Sequence, residues 1–350
     1  MKKYSLFNMI QEPGMKMDST KKDAQIHNDL PPRKLSFKWK DYPRVLYCWM
    51  RAFRKTLCVE PGLYFTGNNY DINTPLLTTG NNLLTVFMVW RAIRNRNLRI
   101  LIVDTEGINV WCASGKGQFS AERIMEQIDR YPDHIISEDT ATLILPKLSL
   151  SGVSLAKLRK YGIKAKIGPV YASELPAYLD EIPFKNRNKD VFRFSLKDRL
   201  FTLLPTLLQM IKYALFISAG LFIWHVFFKT KIYWQVLPVM ILITIIYIIF
   251  FYILPTKKFT VKGLFLFILM ASGFSAYYFI FNRGKMDFLT YLFLILFSGG
   301  ANLLFALSYT GDSGVSNYSL VRREVAVFLP VTALFFLGAA SVVIIKGVLQ

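Results

Sequence analysis

The sequence predicts an α/β domain, a Rossmann-like parallel sheet covered by helices, followed by a transmembrane domain of five helices. Three observations predict it. Up to about residue 200, short apolar runs alternate with helix-patterned segments. Beyond it, apolar runs of about 20 residues repeat, the length that crosses a hydrocarbon core. Between the two lies a dense basic stretch, "FKNRNKDVFRFSLKDR" at 184–199.

Taken in order, residues 1–35 are polar and basic and predict a disordered lead. They hold no apolar core of about 7–15 residues, so they do not read as a secretory signal. Residues 36–60 predict an amphipathic helix running into a Pro-Gly turn. Its mixture of aromatic and basic side chains suits a membrane surface, and equally a helix packed on the soluble domain. Residues 74–80 predict a strand and 82–95 a helix. The continuous apolar run at 98–104 predicts a strand buried on both faces. A helix at 120–131 opens on Ser120, an N-cap residue type. A strand at 141–148, a helix at 154–162, a strand at 163–170 and a helix at 173–180 complete the domain, 36–183. Strand and helix in alternation imply a parallel sheet, whose ligands sit beyond the carboxyl ends of the strands.

Residues 184–208 predict a basic linker and interfacial segment, and 209–350 the membrane domain. Spans are expected at 209–228, 232–254, 260–282, 287–308 and 325–346. The Lys/Arg cluster before the first span places the soluble domain in the cytoplasm and the protein in the cytoplasmic membrane. Ionisable residues are scarce inside the spans. Lys212 and Lys262 lie near span ends and are expected to snorkel. "SGGA" at 298–301 followed by Asn302 predicts close helix packing with a polar cross-link. The absence of a charge pair in the spans argues against a transporter. The net charge of +20 flanks the spans and is accompanied by no nucleic-acid motif, so it points to anionic lipid rather than nucleic acid.

The three cysteines, Cys48, Cys58 and Cys112, show no metal spacing and no disulfide framework. Cys112 lies in "NVWCASGKG", 109–117, just beyond the strand at 98–104. If Asn109 caps a helix, Val110, Trp111 and Cys112 form its first turn, where the helix dipole favours thiolate. Ala113, Ser114 and Gly115 then make a small-residue face on which something broad and flat can lie, with Lys116 adding positive charge. A buried structural cysteine is the bland alternative. A nucleophilic cysteine needs a histidine, and of His27, His134 and His225 only His134 is available. "GKGQFS" lacks the spacing of a phosphate-binding loop.

"NVWCASGKG" resembles the cap-helix signature of the HgcA family, the membrane corrinoid proteins of microbial mercury methylation, related to the corrinoid iron–sulfur proteins. That pattern reads Asn, Val or Ile, Trp, Cys, Ala, usually Ala, Gly, Lys. "VEPGLYFTGN" (59–68), "TPLLTTGNN" (74–82), "LILPKLSLSGV" (143–153), "KIGPVYASELPAYL" (166–179) and "YTGDSGVSNYSLVRRE" (309–324) resemble further segments of the family. The resemblance covers about residues 55–346.

It implies a corrinoid-dependent methyltransferase that passes a cobalt-bound methyl group to Hg(II), forming methylmercury. It implies a cobalamin-type corrinoid with the Cys112 thiolate as lower axial cobalt ligand and the catalytic residue. Asn109, Val110, Trp111, Cys112, Ala113, Ser114, Gly115 and Lys116 would lie beneath the ring. Thr79, Gly80, Asn81, Pro146, Gly168 and Pro169 would line the crevice. A ferredoxin-like partner with two [4Fe–4S] clusters as reductant and a methyltetrahydrofolate-linked donor are implied too. The spans would anchor the domain and can support a homodimer. Ser114 departs from the family's second alanine, and its hydroxyl is expected to bond back to a helix carbonyl. "TTGNNLL" (78–84) departs from the family's Ala-Asn-Tyr-Lys run. Another methyl acceptor, and a receptor or transport protein with a structural Cys112, are the alternative readings.

Overall fold

The computed structural model describes residues 30–51, 57–135, 142–181, 183–187, 190–254, 256–281, 285–312 and 318–349. Most of the expected lead, 1–29, lies outside the described residues, as do parts of the 36–60 and 309–324 segments and of the loops at 255–258 and 282–285.

The α/β domain is built on a six-stranded sheet of order β1-β2-β4-β3-β5-β6. The strands are β1 Arg33–Lys34, β2 Gly62–Thr66, β3 Leu76–Gly80, β4 Leu98–Val103, β5 Leu143–Leu145 and β6 Ala165–Ile167. β4, β3, β5 and β6 run parallel. β2 is antiparallel to β4, and β1 runs alongside β2. The sheet is therefore mixed, not all-parallel, and the end of the expected lead is an edge strand. "GLYFT" escapes a pattern reading because Pro61 and Gly62 mark it as a turn; its pairing with β4 makes it a strand.

Within the parallel part the chain runs from β3 outward to β4, then back across β3 to β5 and on to β6. That is the 2-1-3-4 order of a doubly wound sheet, with its switch point between β3 and β5. Alternate residues of the strands feed two cores. Ile100, Ile102, Leu77 and Ile144 pack against α1 (Tyr42–Met50), α2 (Leu83–Ile93) and α7 (Leu175–Asp180). Leu101, Val103, Leu143 and Leu145 pack against α3 (Val110–Gly115), α4 (Ala121–Ile128), α5 (Pro132–Ile135) and α6 (Leu155–Lys160). This two-sided burial explains why β4 is apolar apart from Arg99, which is itself buried.

Five helices are long and apolar enough to cross a membrane: Leu196–Phe228, Tyr233–Phe250, Phe259–Phe281, Phe288–Thr310 and Val321–Leu349. The helices containing them are α8 (Leu196–Phe228), α9 (Val236–Phe250), α10 (Phe259–Ala276), α11 (Phe288–Asp312) and α12 (Tyr318–Leu349). α8 begins well before the expected 209. Ser195 and Asp198 form a capping box, so residues 196–208 are helix rather than linker. Pro205 lies inside α8 and, lacking an N–H, leaves the Phe201 carbonyl four residues earlier without its helical donor. The Trp49 indole of α1 donates to that carbonyl at 3.2 Å.

Charge enters the bundle more than the composition suggests. Arg199 is buried and donates to Ile248 O (2.9 Å) and Ile249 O (2.5 Å) at the end of α9. Lys262 does not snorkel: it is buried and donates to Phe251 O, just beyond α9. Both cations satisfy carbonyls that a helix end leaves open. Lys346 is buried too, 2.5 Å from Asp287. "SGGA" gives close packing as its small residues require: a Cβ on Gly299 would stand 2.5 Å from the Phe335 ring. Asn302 bonds within its own helix to Ser298 O at 2.9 Å and reaches the Met270 sulfur of α10 at 3.5 Å.

Candidate functional site

The β4–α3 connection is a tight turn. Glu106 and Gly107 are both left-handed, with φ of 55° and 73°. Asn81, at the end of β3, holds it. Its buried Oδ1 accepts from the backbone N–H of Thr105 and of Gly107, each at 3.0 Å. Its Nδ2 donates to Asp104 at 2.9 Å. Asn82 adds a bond to Gly107 O at 2.9 Å and caps α2 through Thr85 N at 3.1 Å. Gly80 is required beside this turn, since a Cβ there would stand 2.9 Å from Thr105 Oγ1.

The turn delivers Asn109 as the N-cap of α3. Its backbone is extended, and its side-chain oxygen accepts from Cys112 N at 2.9 Å. Val110, Ala113 and Ser114 face the core, Trp111 and Cys112 are half-buried, and Lys116 is exposed beyond the helix end. None of the three cysteines is in a disulfide. Ser114 Oγ is buried and bonds to no described protein atom, so the expected bond back to a helix carbonyl is not made. The site behaves as an alanine site carrying an extra hydroxyl. The loop after β5 seats α3 from outside. A Cβ on Gly152 would lie 2.4 Å from Ser114 O, so backbone meets backbone there. On its other side α3 touches α12.

Beyond the carboxyl ends of β3 and β5, at the switch point, opens a cavity of about 1360 Å³. That exceeds the roughly 300–1,000 Å³ of ordinary small-molecule pockets. Of the residues expected to line the crevice, Thr79, Pro146, Gly168 and Pro169 line this cavity, and of those expected beneath the ring, Asn109, Val110 and Trp111 do. Gly80 and Asn81 do not; they are buried in the turn that launches α3. Cys112, Ala113, Ser114, Gly115 and Lys116 also lie outside the lining. Gly168 opens the rim: a Cβ would stand 3.0 Å from the Ile144 side chain.

The cavity has a wall that sequence reasoning missed. Phe192 and Phe194, just before α8, and Phe201 and Thr202, in its first turns, close it. A basic, Pro-containing stretch read as linker gave no signal of this. The wall is latched to the α/β domain by Tyr171, whose hydroxyl donates to Asp198 at 2.8 Å. Burial, aided by the Asp198 carboxylate, pushes the Tyr171 phenol above its ordinary range, so it remains a proton donor. Arg91 and Lys197 are the cationic groups of the lining. The surface is otherwise mostly apolar, with Leu84, Met88, Val89 and Pro176 facing the space.

The reading of Cys112 as a nucleophile with His134 as base does not survive the geometry. The His134 carbonyl accepts from Arg99, at the amino end of β4. Cys112 follows the other end, about 16 Å of strand away. No group of three or more His, Cys, Asp and Glu among the described residues could hold a metal ion by itself.

Comparison with known proteins points to one group. No known family profile matches the chain. The chain is 29% identical over 133 residues to acetyl-CoA decarbonylase/synthase complex subunit gamma 2 of Methanosarcina thermophila, covering 37% of this chain and 28% of that protein. It is 31% identical over 125 residues to the gamma subunit of Methanopyrus kandleri, covering 35% and 26%. The gamma subunit of Methanosarcina acetivorans is 29% identical over 133 residues, covering 37% and 28%. The chain therefore spans about a quarter of the length of the curated relatives it matches.

Proposed function

We propose that this protein is a membrane-bound corrinoid-dependent methyltransferase of the HgcA type, transferring a methyl group to Hg(II). The observation that carries the proposal is the 1360 Å³ cavity at the switch point, with the first turn of the cysteine-bearing helix α3 at its lip. We take the gamma subunits that the chain resembles to be corrinoid iron–sulfur proteins, which supports a corrinoid role in methyl transfer.

The residues present fit a corrinoid. The cavity is large enough for a broad ring, and Gly168 lowers its rim. Cys112 offers a soft sulfur donor of the kind that suits a transition metal. It lies one residue beyond the lining residue Trp111, so the thiol would have to reach the ring from the α3 turn. When bound, the corrinoid supplies a cobalt-carried methyl group and the redox chemistry that goes with it.

The chain's own residues do the rest. Asn109 fixes the α3 backbone at Cys112 N, and Asn81 fixes the turn before it. A thiolate at the first turn of a helix is favoured by the dipole, and its electron donation tunes the metal it ligates. Trp111, Thr79, Pro146 and Pro169, which line the cavity, would hold water off a bound ring, and the Phe201 wall would close its far side. Lys116 leaves positive charge outside the site. A ferredoxin-like protein with two [4Fe–4S] clusters would return the cofactor to its reduced state. A methyltetrahydrofolate-linked donor would supply the methyl group. The spans would anchor the protein in the cytoplasmic membrane, as a monomer or homodimer, with the 185–199 cluster holding the α/β domain in the cytoplasm.

The test is an acceptor assay. The corrinoid-loaded, chemically reduced protein is methylated and then given Hg(II) as a thiolate complex. Methylmercury formed with wild type and absent with Cys112→Ala is the expected result. Methyl transfer to a different thiol or metalloid acceptor, with none to Hg(II), would keep the corrinoid chemistry and overturn the mercury assignment.

A further inference from the structure

Helix α1 carries an unclaimed outer face. Val45 and Cys48 are buried against the α/β core. On the opposite side Leu46, Tyr47 and Met50 are exposed; Tyr42, at the start of α1, is exposed at one edge and packs on Phe87 at 5.4 Å, and Trp39, in the short 3-10 turn Trp39–Asp41 before α1, is 85% exposed. Leu46, Tyr47 and Met50, at spacings of one and three, share one side of α1. Lys38, Lys40, Arg44 and Arg51 flank them and are exposed as well. The one carboxylate nearby, Asp41, accepts from the Lys38 backbone N–H at 2.9 Å.

This face sits where the helix bundle ends. Trp49 of α1 donates to Phe201 O, and the two rings lie 5.5 Å apart. Two residues earlier on α8, Arg199 bonds the last carbonyls of α9. α8 is about 50 Å long for its 33 residues, against a hydrocarbon core of about 30 Å. Its first turns therefore stand at headgroup level. There Leu196, Leu200, Leu204 and Leu208 form a second exposed apolar row at four-residue spacing.

We infer that α1 is an in-plane membrane helix whose Trp39–Met50 face lies on an anionic lipid surface, continuous with the lipid-facing leucines of α8. Tryptophan and tyrosine at headgroup level, an apolar stripe and flanking cations are the chemistry that such a surface recognises. The inference rests on the membrane reading of the five spans and not on the corrinoid. It would fix the α/β domain against the bilayer through a second contact besides α8.

The test uses the full chain in vesicles of phosphatidylcholine, with and without phosphatidylglycerol, made with brominated acyl chains. Trp39 emission is isolated as the difference between wild type and Trp39→Phe. Trp234, in the second span and 60% exposed, is isolated in the same way as a reference. We expect brominated lipid to remove most of the Trp39 emission, more so with phosphatidylglycerol, and aqueous iodide to leave it unchanged. Trp39 quenched by iodide and not by lipid, while Trp234 is quenched by lipid, overturns the inference and leaves the membrane spans standing. Trp39 quenched by neither means that a second protein copy covers the face, which also overturns it. If neither tryptophan responds to lipid, the membrane reading itself fails.

Discussion

At the amino end of the sheet, Arg99 fills the space that the strands leave. It is buried, and its guanidinium donates to Thr74 O at 3.0 and 2.7 Å and to His134 O at 2.9 Å. At the carboxyl end, buried and half-buried polar groups do the opposite. Asn81, Asn82 and Asn109 bond the backbone of the turns and leave the space between β3 and β5 open. Both ends tie buried polar side chains to backbone groups, as a low-dielectric interior favours. The difference is where the bonds point: across the gap at one end, along its lip at the other. At the lip, Asn81 and Asn82 of the β3–α2 connection brace the β4–α3 turn beside them, and the cavity opens next to that braced pair.

Breaking the closed end should cost most. Arg99→Leu strips the Thr74 carbonyl of both guanidinium bonds and leaves the His134 carbonyl with the Tyr70 hydroxyl as its side-chain donor, and we expect about 3 kcal/mol of lost stability. A thermal melt of the full chain in detergent, followed by circular dichroism, reads this directly. Asn81→Ala removes three acceptor bonds and one donor bond to the turn and should cost about 2 kcal/mol. Unlike Arg99→Leu, it should also loosen α3, so hydrogen exchange should rise at 104–115 in advance of global unfolding. Asn109→Ala removes the α3 cap and should cost about 1 kcal/mol, with faster exchange confined to Val110–Gly115. Ser114→Ala runs the other way. It deletes a buried hydroxyl that bonds to no described protein atom and should be neutral or stabilising by up to about 1 kcal/mol in the same melt.

The sequence makes the central strands and helices plain because periodicity alone decides them. β3, α2, β4, α4, α6 and α7 fall where their apolar spacing puts them, and the five apolar stretches fall close to the five long helices. β1 and β2 are hidden because a two-residue edge and a run beginning at Pro-Gly have no pattern of their own. The start of α8 is hidden because charges and Pro205 read as linker, while the Ser195–Asp198 capping box and the Trp49 indole make it helix. Burial of Arg199, Lys262 and Arg99 depends on carbonyls far along the chain, which no local window contains. At the site, the rim rule for parallel sheets picks out Thr79, Asn109, Pro146 and Gly168. It does not separate a residue that lines the space, such as Thr79, from one that ties the turn, such as Asn81. The α8 wall comes from the other domain and could be found only in three dimensions.

The open lip matters to function only if Cys112 ligates a corrinoid held in the cavity. The visible spectrum of the full-length protein reconstituted with a cobalamin, wild type beside Cys112→Ala, tests that most directly. The account predicts a base-off, thiolate-ligated spectrum in the wild type that the alanine variant loses while its melt is unchanged. No bound corrinoid, or the same spectrum in both proteins, would contradict it and return Cys112 to the role of a structural cysteine.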